Sequence, residues 1–429
     1  MHSARSRTFP CLALLVFVAL SGRALADYDR AAVGTCTTLA HFPTIQLAVN
    51  SVYPGSTVEV CPGTYPEQVV INKNLTLQGI VGSGEDAAVI LPPVGGLVAN
   101  TTGLISGNPI AAQLLVIGGT VSIINLTVDG TGNGITGCAP DLQGILFQNA
   151  SGTLNHVAVR NQVPGGALGV CPAGGESIFV ESLAGSSTVT VENSSVHNYN
   201  TNGITGNGAG TTLTVSSNYV QGSGVVSGGA VQNGIQLGYG AKGKITLTTV
   251  IDNVTAGGPP YATDILLFDA LENGGITITS NVVGNSQTGI ALETDGDAGG
   301  ANLGDVVSVT SNKVFGTTGD AIDVCTNGNT VTNNTIFNNG NSGVHFDESC
   351  GVYYGGVTGT NNVGTGNTIV ESTCAGILDD WGATGGNSYG KETDFTVPFL
   401  VAYSTGSCPF VAGEVRAKAK RALRFSPRK

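Results

Sequence analysis

Acids and a single histidine gather in the last third of this sequence, where their chemistries can combine. Asp320, Asp323 and Asp347 accompany His345, with Glu293 before them and Asp380 and Trp381 after. Two neighbouring carboxyls repel when both are ionised. One therefore keeps its proton while the other stays charged, the condition for acid/base cleavage of a glycosidic bond. Asp320, Asp323 and Asp347 supply that candidate catalytic set, with His345 tuning their protonation. Glu293, Asp380 and Trp381 are the candidate substrate-binding residues, Trp381 offering an aromatic face to a sugar ring. In lyase or epimerase chemistry His345 is the nearest base. The loop DGDAGGANLGD adds Asp295, Asp297 and Asp305, hard oxygen ligands that suit Ca2+, although their spacing is not that of an EF-hand. The competing reading is solubility alone, since outward acidic ladders also keep a long β stack in solution and discourage edge association.

Residues so dispersed can share a site only if the chain returns repeatedly to the same place. A Gly-Ile-like strand signature does recur, at Ile145, Ile178, Ile204, Ile235, Ile265, Ile290, Ile322, Val344 and Ile377, at intervals of 22 to 33 residues. Intervals of that size, irregular but clustered, predict one coil each of an all-β fold, a single-stranded right-handed parallel β-helix. If the landmark residues point inward, the next residue of each strand points outward. That places Ala291, Asp323, His345 and Leu378 in one outward row and Glu293, Cys325, Asp347 and Asp380 in another. Asp323 and His345 become direct neighbours, ~4.8 Å apart on adjacent strands.

A second signature places Asn218, Asn281, Asn312 and Asn334 at one offset from an apolar pair, with Val250 expected to interrupt the series. Stacked asparagines predict a hydrogen-bonded ladder, and Asn also tolerates left-handed turns. A solenoid needs capped ends. Residues 43–52 read as an N-terminal capping helix that begins with Pro43 and turns Ile45, Ala48, Val49 and Val52 inward.

Composition agrees. The chain has 65 glycines in 429 residues, 41% hydrophobic residues and 11% charged ones, which suits an all-β fold rich in tight turns. Residues 1–26 combine Arg5 and Arg7, an apolar stretch and Ala24-Leu25-Ala26, the pattern of a secretory signal peptide too short to span a bilayer. Beyond it remain Cys36, Cys61, Cys138, Cys171, Cys325, Cys350, Cys374 and Cys408. In an oxidising compartment this even set predicts four disulfides between sequence neighbours. The net charge is −12, and residues 415–429 form a basic tail. The intervening β-helix domain, 27–414, is therefore strongly acidic, which excludes nucleic acid as a partner.

The stretch from Cys36 to Gly79, with TIQLAV, YPGSTV, VCPGTYPEQV and INKNLTLQG, closely resembles the opening of right-handed β-helix proteins of the pectin-lyase-like superfamily. The resemblance implies the fold and leaves the chemistry open, since that fold hosts lyases, hydrolases, esterases, epimerases and inert spikes. Pectin methylesterase motifs are absent, and none of the body's few Lys and Arg residues accompanies the acids as a pectate-lyase base would. Polygalacturonase motif order is echoed by ETDG at Glu293–Gly296, TGDAIDV at Thr318–Val324 and SGVHF at Ser342–Phe346. Asp320 lacks the adjacent Asp of that family, His345 is displaced within its strand, and no Arg-Ile-Lys follows.

These readings together predict a secreted protein, extracellular or periplasmic, monomeric and free of the membrane once its signal is removed. Its partner is an extracellular polysaccharide, either a neutral glycan or a uronate bridged by Ca2+, which it binds or cleaves as a hydrolase or lyase. The alternative is a non-catalytic surface or matrix β-helix acting as spacer or adhesin.

Overall fold

The computed structural model describes residues 28–81, 86–257, 261–270, 275–294, 307–348, 359–390, 393–395 and 399–403. The signal segment, the basic tail, Cys350, Cys408, Asp295, Asp297 and Asp305 lie outside them. The chain winds as a right-handed parallel β-helix whose strands fall into three long sheets of 14, 12 and 13 strands. Every described pairing along these sheets is parallel; the one antiparallel pair is the two-residue strand Thr101–Thr102 against Pro109–Val116. Neighbouring coils bury one continuous core of Val, Ile and Leu that no single coil could enclose. Among the described residues no helix is long and apolar enough to cross a membrane.

The third sheet carries the register expected from the strand landmarks. Ile145, Ile178, Ile204, Ile235, Ile265, Ile290, Ile322, Val344 and Ile377 pair in succession, and all are buried. The glycine that often precedes the landmark has a steric cause. A Cβ on Gly203 would sit 2.5 Å from the carbonyl oxygen of Gly234, and one on Gly234 would sit 2.2 Å from a methyl of Val250. The coil corner closes only without a side chain there.

The asparagine ladder exists and is longer than expected. Val250 pairs with Val220, so the residue level with Asn218 is Thr248, two places earlier than the expected interruption. Its hydroxyl accepts from the Asn218 N–H at 3.3 Å, and the Thr248 N–H donates to Asn281 Oδ1 at 3.0 Å. The series runs on through Asn312 and Asn334 to Asn367, each oxygen taking the N–H of the coil before it. The left-handed conformation belongs to the residue immediately before each rung, Ser217, Leu247, Ser280, Ser311 and Asn333. That bend swings the ladder side chain into the stack.

At the N-terminal end, helix α1 (Ile45–Ser51) caps the core and buries Ile45, Ala48 and Val49 as expected. Pro43 is not its first residue. Thr44 is the N-cap, its side chain accepting from the Leu47 N–H, and Pro43 precedes it. Neighbouring cysteines pair as Cys36–Cys61 and Cys138–Cys171, and Cys325 and Cys374 are also disulfide-bonded.

Candidate functional site

Three adjacent strands of the third sheet, Ile322–Val324, Val344–Phe346 and Ala375–Asp379, bring the C-terminal acids together. Asp323 pairs directly with His345, and His345 with Leu378. Asp320 stands in the turn just before its strand, where the Ser342 N–H and Asn341 Nδ2 each donate to its Oδ1 at 2.9 Å. His345 lies among three carboxylates. Its Nδ1 is 3.3 Å from Asp320 Oδ2 and 3.9 Å from Asp323 Oδ1, and its Nε2 is 3.3 Å from Asp380 Oδ1.

Despite facing outward, the cluster is not a solvated ladder. His345, Asp347 and Asp380 are 7%, 8% and 7% exposed, so their charges must be met within the protein. Burial favours the neutral imidazole of His345, but the Asp320 charge and hydrogen bond, with Asp380 and Asp323, outweigh it and hold the ring protonated well above its usual range. Burial likewise pushes Asp320 up, yet the His345 cation and the donors from Ser342 and Asn341 bring it below the ordinary carboxylate value. Asp323 goes the other way. Burial and then the charge of Asp347 raise it well above the usual range, only partly offset by His345. Glu293 is pushed up to about 7 by burial and the same Asp347 charge.

Of the residues expected at the site, Asp320, Asp323, His345, Asp347 and Asp380 converge. Glu293 closes the strand Thr288–Glu293 next to Ile322–Val324. Trp381 follows Asp380, heading the short turn Gly382–Thr384, and its N–H donates to Asp379 Oδ1 at 3.1 Å. Asp379, the last residue of the strand Ala375–Asp379, is fully buried and accepts from Asn387 Nδ2 at 3.0 Å. Cys325 places its sulfur 3.8 Å from Asp347 Oδ2. The contributions of Asn341 and Ser342 were not anticipated, because a turn amide and a backbone N–H carry no chemical mark in an Asn- and Ser-rich chain. Among the described residues, the side chains that can gather about a metal ion are Asp323, His345 and Asp347, whose ligand atoms lie within 4.8 Å of one another.

No family model matches the chain, and no curated protein matches it in sequence. Among solved structures, the A-module of mannuronan C-5 epimerase AlgE4 from Azotobacter vinelandii is similar with a TM-score of 0.55 and 14% identity, over 82% of this chain and 90% of that one. The A-module of the AlgE6 mannuronan C-5 epimerase from the same organism is similar at 17% identity over 85% and 95%, with a TM-score of 0.47. The Dettilon tailspike protein is similar at 15% identity over 81% and 63%, with a TM-score of 0.46. At such identities the likeness is one of fold: this chain is a right-handed parallel β-helix, as the AlgE4 module is.

Proposed function

We propose that this is a secreted polysaccharide hydrolase whose acid is Asp323 and whose ionised partner is Asp347. The observation that carries the reading is the opposite fate of neighbouring carboxyls in one buried cluster. Burial and the Asp347 charge push Asp323 well above the usual carboxylate range, whereas the His345 cation and the donors from Ser342 and Asn341 hold Asp320 below it; environments that divide carboxyls in this way set a proton donor beside charged neighbours. Oxygens of Asp323 and Asp347 lie within 4.8 Å, closer to the ~5–5.5 Å spacing of retaining glycosidases than to the wider gap that admits a water between them. Asp323 gives its proton to the glycosidic oxygen while the Asp347 carboxylate attacks the anomeric carbon and the old C–O bond breaks. Water, losing a proton to the Asp323 carboxylate, then releases the sugar from Asp347. Asp320, His345 and Asp380 are positioning residues. With His345 held as a cation by its carboxylate neighbours, the ring orients those groups and is a poor candidate for the base of a lyase or epimerase.

One observation favours a second reading. Two carboxylates and an imidazole within reach of one ion form a divalent-metal donor set, and the imidazole suits Zn2+ better than Ca2+. Asp295, Asp297 and Asp305 remain proposed Ca2+ ligands.

The test is a polysaccharide panel incubated with the purified chain, with and without Ca2+ and with a chelator, followed for new reducing ends and for unsaturated products absorbing in the ultraviolet. Reducing ends without ultraviolet absorbance, lost in Asp323→Asn and Asp347→Asn, support hydrolysis. Unsaturated products would replace it with elimination, and activity abolished by chelation would favour the metal. Absence of both turnover and glycan retention on every polymer sinks the proposal.

A further inference from the structure

The outward face of the same sheet has a second polar region, on the strands Asn202–Asn207 and Asn233–Gly238. Asn233 Nδ2 donates to Asn202 Oδ1 at 3.2 Å, Asn202 Nδ2 to Gln236 Oε1 at 3.1 Å, and Gln236 Nε2 to Asn207 Oδ1 at 3.2 Å. Four amides are wired head to tail across two adjacent coils. The inward asparagines differ: Asn281 and Asn312 spend their side-chain N–H groups on the carbonyls of Ile245 and Ile278 as well as on the side-chain oxygens of the next rungs, Asn312 and Asn334. The outward amides hold each other and leave valences unspent. Oδ1 of Asn233 and Oγ1 of Thr205, 8% and 0% exposed, find no hydrogen-bond partner among the described residues. Buried polar atoms are ordinarily paired, so a run of them on one outward face calls for an external partner.

The edge of this floor is aromatic. Phe268 pairs in register with Gly238, and Tyr239 stands edge-on to it, ring centroids 5.8 Å apart, with 44% of its surface exposed. A Cβ at position 238 would lie 2.9 Å from Asn207 Oδ1, so glycine leaves that amide the room it occupies. No Lys or Arg stands on any described strand of this sheet, and its cation, His345, lies in the acid cluster three or more strand steps away, so a uronate carboxylate at this floor would find no opposite charge on the sheet. At one end, burial pushes the Glu176 carboxyl up to about 8, so it too is uncharged near neutrality.

Sugar hydroxyls donate and accept at once, as amides can, and pyranose rings present an apolar face to an aromatic side chain. We infer that the Asn202, Asn207, Asn233 and Gln236 floor, edged by Tyr239, is a binding subsite for an uncharged saccharide. Three strand steps separate Ile235 from Ile322, which puts the subsite ~14 Å from the acid cluster along the helix axis. A single extended chain of several sugars reaches both. The inference rests on the polysaccharide reading and adds that the substrate is neutral at this end.

Calorimetric titration of the full chain tests it, with β-1,4-linked hexamers of glucose, mannose and xylose as neutral probes and hexamers of galacturonate and mannuronate as charged ones. Binding of at least one neutral hexamer is expected, with Kd raised tenfold or more by Gln236→Ala and by Tyr239→Ala and retained in Asp323→Asn. If Gln236→Ala does not fold, Tyr239→Ala decides, because its side chain is largely on the surface. Tighter binding of a uronate hexamer than of any neutral one overturns the inference, as does wild-type affinity in the folded variants. If Asp323-dependent turnover persists while those variants bind normally, the subsite alone is wrong. If nothing binds and nothing is turned over, both readings fall.

Discussion

His345 Nδ1 lies 3.3 Å from Asp320 Oδ2, and each group fixes the other's charge. The His345 imidazole should titrate well above its usual range in the folded protein, as the Asp320 charge and hydrogen bond, with Asp380 and Asp323, outweigh the desolvation that burial imposes. Its folded pKa is raised, so the stability it contributes is complete below the unfolded value, ~6.5, and is lost as pH rises through the folded one. NMR titration of His345 should show that displacement, and Asp320→Asn should move the value downward. In His345→Gln the buried carboxylates lose their cation, a loss of roughly 3–5 kcal/mol, read by chemical denaturation. A titration near the ordinary histidine value would show that the pair is not charged.

Asp323→Asn separates chemistry from folding. Burial and the Asp347 charge push its carboxyl well above the ordinary range and favour the neutral form, so an amide of the same shape should leave the melting temperature unchanged or raise it. Turnover should fall by roughly 10²–10⁴, the usual contribution of a general acid. Asp347→Asn should cost at least as much, and NMR of the first hemiacetal released should show retained anomeric configuration. Inversion would mean that Asp347 activates water rather than attacking the sugar.

Glu293 makes stability fall as pH rises. Its carboxyl moves from the ordinary 4.5 to about 7 on folding, through burial and Asp347. A raised acid contributes stability below its unfolded value that is lost as pH climbs through the folded one. The displacement corresponds to roughly 3 kcal/mol between those limits. Thermal melts from pH 4.5 to pH 8 should therefore slope downward, and Glu293→Gln should flatten the curve. A stability that rises over that range would contradict the burial of this carboxyl.

The sequence reveals the stack because its landmarks combine two physical demands, an inward β-branched residue and a corner with no room for a side chain. Ile204 and Ile235 with Gly203 and Gly234 show both, and once the landmarks align, Asp323 beside His345 follows by counting. The rung between Asn218 and Asn281 falls at Thr248 and not at Val250, because a hydroxyl replaces an amide oxygen as ladder acceptor, which counting asparagines does not detect. The burial of His345 and Asp347 was also hidden, since alternation says which way a side chain points and not what covers it. The Asn202 to Gln236 floor was overlooked for a related reason: amides are common in this chain, although NGI in two successive coils does mark the pair of strands.

The Cys36–Cys61 bridge closes a loop of 25 residues over the capping helix. Restricting the unfolded chain by a loop of that length is worth roughly 3 kcal/mol. Because a solenoid couples mainly to its nearest neighbours, replacing both cysteines by serine should lower the unfolding transition of the N-terminal coils while leaving glycan turnover intact. Hydrogen exchange resolved by mass spectrometry would show the loss confined to that end. A uniform loss along the whole stack would mean that the coils unfold as one unit.

Asn312 tests the ladder most directly because four hydrogen bonds meet on its side chain. Its Nδ2 donates to the Ile278 carbonyl at 2.8 Å and to Asn334 Oδ1 at 3.0 Å, while its Oδ1 accepts from the Asn281 N–H and Nδ2, both at 3.0 Å. Alanine leaves the buried N–H of Asn281 without its acceptor and the Ile278 carbonyl without that donor, each costing ~1–3 kcal/mol. A combined loss of roughly 2–5 kcal/mol is expected from Asn312→Ala by denaturant unfolding. Thr248 shows that a hydroxyl can serve as the acceptor at this level of the stack, taking the Asn218 N–H at 3.3 Å. Asn312→Thr should therefore recover part of the loss, whereas Asn312→Val, similar in shape and without an acceptor, should not. Equal stability of the threonine and valine variants would show that the rung is held by packing and not by its hydrogen bonds.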